Sequence, residues 1–245
     1  EYVVWLEALA NPTDTPTLIP FLEDMHQNLS FKYMNIVADA GYESEENYSY
    51  IEEHGQYAYI KPSNYEISKT RKYQADISNR ENMVYDEEKD CYRCSQGNLL
   101  KAAGSKQRQT ASGYIATKVI YKCSDCTDCP VKSRCIRGNH CKVPESERFK
   151  SLEVSRRFER QRAESLKRIT SQQGIILRIN RSIQSEGSFA DLKWDRGFRR
   201  FLCRGSSNVY AECVLLAISH NIEKLHNKIQ HGKTREHLHC KDKVA

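Results

Sequence analysis

No run in the sequence approaches the roughly 18 apolar residues that cross a bilayer, and no charged-then-apolar leader stands at its start. Nothing therefore argues for insertion or export, and a soluble, cytoplasmic protein with no membrane partner is expected. Glycine and proline are few, 11 and 6 among 245 residues, and 39% of the chain is hydrophobic. That is enough to bury one sizeable core or two modest ones, and it excludes a disordered tail. A starting methionine is also missing: position 1 is Glu, and Tyr2 to Leu6 already reads as a strand, so the chain is expected to begin inside a fold.

Lysine and arginine are absent from Asp39 to Glu53, where six acids stand. From Arg148 to Arg181 the balance reverses, with ten Lys or Arg against Glu153, Glu159 and Glu164. The net charge of +6 is modest, so the asymmetry says more than the sum. Such runs are most often solvated faces; their other use is to meet a polyanion.

What the chain has in excess is cysteine. Six of its ten fall between Cys91 and Cys135, in the order Cys91, Cys94, Cys123, Cys126, Cys129 and Cys135. The repeated two-residue gap lets neighbouring thiolates close on one ion from a tight turn. A disulfide scaffold would need an exported protein. A structural knuckle is expected, with tetrahedral Zn2+ on Cys94, Cys126, Cys129 and Cys135 and with Cys123 as alternate. An iron–sulfur cluster, or reduced thiols buried as small hydrophobes, are the other readings. The segment is poor in large aliphatic side chains, so a metal would supply stability that its own core could not.

Periodicity predicts a strand over Tyr2 to Leu9, a turn at Asn11 to Asp14 with Asp14 as N-cap, and an amphipathic helix over Thr15 to Leu29. A short strand, Asn35 to Asp39, ends in an acid before the Ala40-Gly41-Tyr42 turn. A helix over Ser44 to His54 and a strand over Tyr57 to Ile60 complete an α/β pattern. Residues 1–60 are thus expected to begin an α/β domain, and 61–144, where periodicity lapses, to be a cysteine-rich insertion. Residues 145–229 resume it with helices over Ser151 to Thr170, Gln184 to Trp194 and Asn208 to Ile229, and 230–245 form a tail. In the last helix Leu215, Ile218, Ile222, Leu225 and Ile229 recur as a core stripe.

Two acids stand out. Asp39 closes an apolar strand, where an α/β sheet presents its ligands, and Glu186 lies on a helix whose Ile183, Phe189 and Leu192 would pack inward. Carboxylates from distant parts of a chain supply the few hard oxygen ligands that Mg2+ needs. The segments Ile36-Val-Ala-Asp39-Ala-Gly-Tyr42-Glu-Ser44 and Glu186-Gly-Ser-Phe-Ala-Asp-Leu-Lys193-Trp-Asp-Arg196-Gly-Phe-Arg-Arg-Phe201-Leu-Cys-Arg204-Gly, closing on Ala217-Ile-Ser-His-Asn221-Ile-Glu-Lys-Leu225, resemble the DDE transposases of bacterial insertion sequences. The resemblance covers nearly the whole chain and extends to one branch of that family that carries a cysteine-bearing insertion.

That resemblance implies a ribonuclease H-like mixed sheet flanked by helices, interrupted by the small cysteine-rich insertion. It implies DNA cleavage and strand transfer at insertion-sequence ends with two Mg2+ (or Mn2+) ions, by a homodimer in a DNA complex. Asp39 matches the second family acid and Glu186 the third. Lys193 matches a lysine seven residues after the Glu; two helical turns separate them, so both face one way and the ammonium could reach a phosphate. The family arginine falls at Ser182, with Arg181 one place off. Arg196, Arg199, Arg200 and Arg204 join the expected DNA surface, with Trp194 and Phe198 available to stack on an unpaired base. The first family acid is expected upstream of Glu1, leaving this fragment inactive alone. A non-catalytic, metal-stapled nucleic-acid-binding module and a ribonuclease H-like nuclease without strand transfer are the alternatives.

Overall fold

The computed structural model describes residues 2–138, 142–190 and 197–236, with no statement on the side chains of 189 and 190. Contacts divide the chain into two units, Glu1–Lys61 with Glu164–Ala245, and Pro62–Ala163.

In the first unit the strands β1 (Asn35–Ala38) and β2 (Tyr57–Ile60) pair in parallel, Ile36 opposite Ala58 and Ala38 opposite Ile60. Parallel neighbours need a crossover, and α2 (Glu45–Glu53) supplies it. Ser44 accepts the N–H of Asn47 as a cap, and Glu45 and Glu46 add negative charge at the positive end of the helix. The expected first helix appears as a 3-10 turn, Thr15–Thr17, running into α1 (Leu18–Asn28), which buries Leu18, Leu22 and Met25.

The order continues through α3 (Arg71–Gln74), a short helix of the second unit, and the strands β3 (Val84–Asp86), β4 (Cys91–Arg93), β5 (Leu99–Gln109) and β6 (Ile115–Cys123). After α4 (Lys132–Cys135) comes β7 (Ser151–Val154). These five strands form one antiparallel sheet in sequence order, a meander within 62–163 where the sequence showed only a lapse of periodicity. Met83, Tyr92, Leu100, Tyr121, Leu152 and Val154 make its core, together with Cys123 and Cys126. The unit therefore has a core of its own.

The expected helix over Ser151 to Thr170 is corrected at its start. Leu152 and Val154 alternate inward as a strand, and Ser155 then accepts the N–H of Phe158 to begin α5 (Arg156–Thr170). The unit boundary falls within α5, and α6 (Gln172–Arg181) follows it in the first unit. In that unit Ser165 takes the place of a neighbouring strand beside β2: it is fully buried, accepts the N–H of Ile60 at 3.1 Å and donates to the carbonyl of Ile60 at 2.8 Å.

Two further expectations fail in the first unit. Tyr2 to Leu9 forms no strand; the side-chain amide of Asn221 takes both backbone groups of Val3 at 2.8 Å, as a strand partner would. The helix α8 (Ser206–Gln230) is present, but its apolar stripe is exposed, Leu215 at 68% and Ile222 at 64%, and its buried residue is His220. Periodicity identified the helix and misjudged what covers it. The tail is described only to Glu236.

Candidate active site

Asp39 follows β1 directly, and its carboxylate is 58% exposed. One oxygen accepts the N–H of Ala40 at 2.8 Å, opening the 3-10 turn Ala40–Tyr42. That turn is pinned from three sides. Asn47, buried, donates to the carbonyls of Tyr42 and Thr15, and the hydroxyl of Thr15 donates to the carbonyl of Gly41 at 2.7 Å. Gly41 is required by close approach: a Cβ there would lie 2.8 Å from a carboxylate oxygen of Asp14. Asp14 does not cap by its side chain, contrary to expectation; its carboxylate lies over this turn instead.

The other oxygen of Asp39 stands 3.3 Å from the Arg181 guanidinium. Arg181 ends α6, whose placement is fixed by Gly174, where a Cβ would fall 1.9 Å from the carbonyl oxygen of Arg168. Beyond Arg181 the helix changes to a π segment, Ser182–Glu186, then returns as α7 (Gly187–Ala190). The π segment is closed by i→i+5 bonds in place of the α-helical i→i+4 pattern, and Glu186 is its last residue. Glu186 is exposed. Gly187 and Ser188 sit at the junction, and Ser188 lies 3.3 Å from the ring of His220. The sequence carried the acid and the arginine but no signal for the π segment between them.

Arg199, Arg200 and Arg204 are exposed on the segment before α8, which Glu212 anchors by accepting the N–H groups of Leu202 and Cys203. Phe198 packs edge-on against Phe201, their rings 5.3 Å apart. Lys193, Trp194 and Arg196 lie outside the described residues. Much of the basic run from Arg148 to Arg181 is engaged within its own unit. Arg156 binds Asp90, Arg162 pairs with Glu81, Arg168 with Glu164, and Lys150 donates to the carbonyls of Ser78 and Cys135.

The cysteines converge without closing. Cys94, Cys123, Cys126, Cys129 and Cys135 line one cavity of about 20 Å³, in the second unit. Cys94 opens a hairpin turn with Gly97 in the left-handed region, and Asp128, also left-handed at φ 51°, bends Cys126 to Cys129. Burial pushes the Cys123 thiol up to about 12, and its sulfur donates to the carbonyl of Asp125. The N–H of Lys150 donates to the sulfur of Cys126 at 3.4 Å. Among the described residues no group of three or more His, Cys, Asp or Glu stands ready to hold a metal ion. Among them, too, no helix is long and apolar enough to cross a membrane.

No curated protein and no solved structure matches the chain. The family model of the transposase DDE domain matches residues 93–226, more than half of the sequence, spanning Glu186 and Cys94 to Cys135 while leaving Asp39 outside. The chain belongs to the transposase DDE domain family.

Proposed function

We propose that the first unit is a ribonuclease H-like catalytic core in which Asp39 and Glu186 carry DNA phosphoryl transfer at insertion-sequence ends, within a homodimer bound to DNA. The family supports the coarser statement, a transposition-related enzyme that cuts DNA and uses a divalent metal. The observation that carries the finer reading is the contact of Arg181 with Asp39. It ties the acid at the end of β1 to the helix that leads, through the π segment, to Glu186.

Exposed carboxylate oxygens suit Mg2+ or Mn2+, and Asp39 and Glu186 would hold it together with a third acid. Bound there, the ion would supply Lewis acidity for the attacking hydroxyl and positive charge for the leaving oxygen. The chain's own contribution is positional. Arg181 neutralises and orients Asp39, and it must yield that oxygen when a cation arrives. Lys193, Arg196, Arg199, Arg200 and Arg204 would neutralise phosphates and align the strand. The five cysteines at their cavity are the candidate structural Zn2+ site of the second unit; one equivalent of zinc in the purified, reduced chain would support it, and none would remove it.

A salt titration tests the DNA reading. Affinity for duplex should fall with a log–log slope near −0.9 for each phosphate neutralised, and Lys193→Ala should remove about one unit of slope without unfolding the chain. A flat dependence in the parent, or an unchanged slope in the variant, would count against it.

A further inference from the structure

The second unit contains a surface that neither the catalytic acids nor the cysteines use. From Leu99 to Cys123 the sequence holds Lys101, Lys106, Arg108, Lys118 and Lys122 and no acid. This stretch is the β5–β6 ribbon. Its base, through Leu100, Tyr121 and Cys123, belongs to the core of the unit, whereas every residue from Lys101 to Gln109 is exposed. The ribbon lacks the apolar face on which a sheet is usually built.

The register sorts the charges. Lys101 pairs with Lys122, Lys106 with Lys118, and Arg108 with Ala116. Directly opposed residues share a face, and residues two apart along a strand do too, so Lys118 and Lys122 lie on one side of β6 and bring their partners with them. The register shift between Ala102 and Ser105, at Gly104 with φ 139°, keeps Lys106 and Arg108 on the same side as Lys101. All five cations therefore share one face of the ribbon. Like charges set directly opposite destabilise a ladder. In β5, β6 and β7 the single acid is Glu153, which lies opposite Ile120 and pairs with Lys106 at 3.1 Å, so five positive charges meet one negative.

A face that sets lysine against lysine and holds one carboxylate is complementary to a polyanion. Past the bulge the ribbon runs for Ser105 to Gln109 against Ile115 to Val119, about 17 Å at 3.4 Å per residue. A two-stranded ribbon is also an element that the roughly 12 Å major groove of B-DNA admits. We infer that the β5–β6 ribbon is a DNA-binding arm, which lays its cationic face, Lys101, Lys106, Arg108, Lys118 and Lys122, along the phosphates of duplex DNA. This inference rests on the DNA reading above and adds a second contact, in the unit that does not carry the acids. The contacts it makes are with phosphates, so they position the duplex and leave sequence readout to other residues.

The test is a salt titration of duplex binding by the full chain and two variants. In the triple variant Lys106→Gln, Arg108→Gln and Lys118→Gln the slope should shrink by about 2 to 3 units, with affinity lower by about 10²-fold at 0.1 M salt. Its circular dichroism should match the parent. Glu153→Gln removes the one opposing carboxylate and should tighten binding; loss of a surface ion pair costs little stability, so this variant remains informative if the triple variant misfolds. A parent that binds with a steep slope, beside variants that bind like it, would overturn the arm and leave the catalytic reading standing. A parent without salt-dependent binding would overturn the DNA reading itself.

Discussion

Gly174→Ala is the sharpest test of how the helix bearing Arg181 is set. A Cβ at this position would lie 1.9 Å from the carbonyl oxygen of Arg168 and 2.7 Å from the Cα of Ile169, against a practical minimum of 3.0 Å. Both neighbours are backbone, so the α5–α6 junction must open by more than 1 Å. Overpacking of this kind costs about 3 kcal/mol at the top of its usual range. Alanine returns about 1 kcal/mol of helix propensity, because Gly174 lies in the first turn of α6, its N–H donated to Ser171 Oγ at 3.1 Å. The net expectation is a loss of about 2 kcal/mol, or a midpoint lower by about 4–8 °C for a unit of this size. Tryptophan fluorescence is a suitable readout, since Trp5 belongs to the first unit and the sequence of the second, Pro62–Ala163, contains no tryptophan. Helix propensity alone predicts the opposite sign. An alanine variant as stable as the parent, or more stable, would refute the close junction.

Ser165→Ala should cost about 1–3 kcal/mol by urea unfolding, since it leaves the buried N–H of Ile60 without its acceptor. A neutral result would mean that water or a strand replaces it. In the second unit, the hydrogen bond from Tyr121 holds the Asp90 carboxyl below its usual range, with Tyr85 and Arg156 adding to the effect. A lowered carboxyl contributes stability above its unfolded value of about 4 and loses it as pH falls through the folded value, so the thermal midpoint should drop in that window. Asp90→Asn should flatten this acid limb, and an unchanged profile would count against the network.

What the sequence made legible were the elements with clear apolar spacing, with a serine cap to add to it in α2. The α1, β1, α2 and β2 segments are short and strongly patterned, and the place of Asp39 at the end of β1 follows from that pattern. The five-stranded meander was not legible for the reason that makes it interesting: β5 is Leu99-Leu-Lys-Ala-Ala-Gly-Ser-Lys-Gln-Arg-Gln109, with no alternation to find because neither face of its outer half is buried. The break at Ser155 was legible in principle, from the alternation of Leu152 and Val154 and a capping serine, but a basic helical pattern just beyond it masked the strand. The stripe on α8 shows the converse limit. Spacing reveals that a face is apolar, and only packing reveals whether anything lies against it. Nothing in a one-dimensional pattern marks Ser182 to Glu186 as a π segment, since that depends on one extra residue being accommodated within the turn.

The central claim is that Asp39 and Glu186 serve one metal-dependent site. Electron paramagnetic resonance of Mn2+ titrated into the chain with duplex DNA bound, for the parent, Asp39→Asn and Glu186→Gln, tests it most directly. The account predicts that each substitution weakens Mn2+ binding by about tenfold or more, roughly 1.4 kcal/mol, while the fold is retained. Variants that bind Mn2+ as tightly as the parent would contradict it.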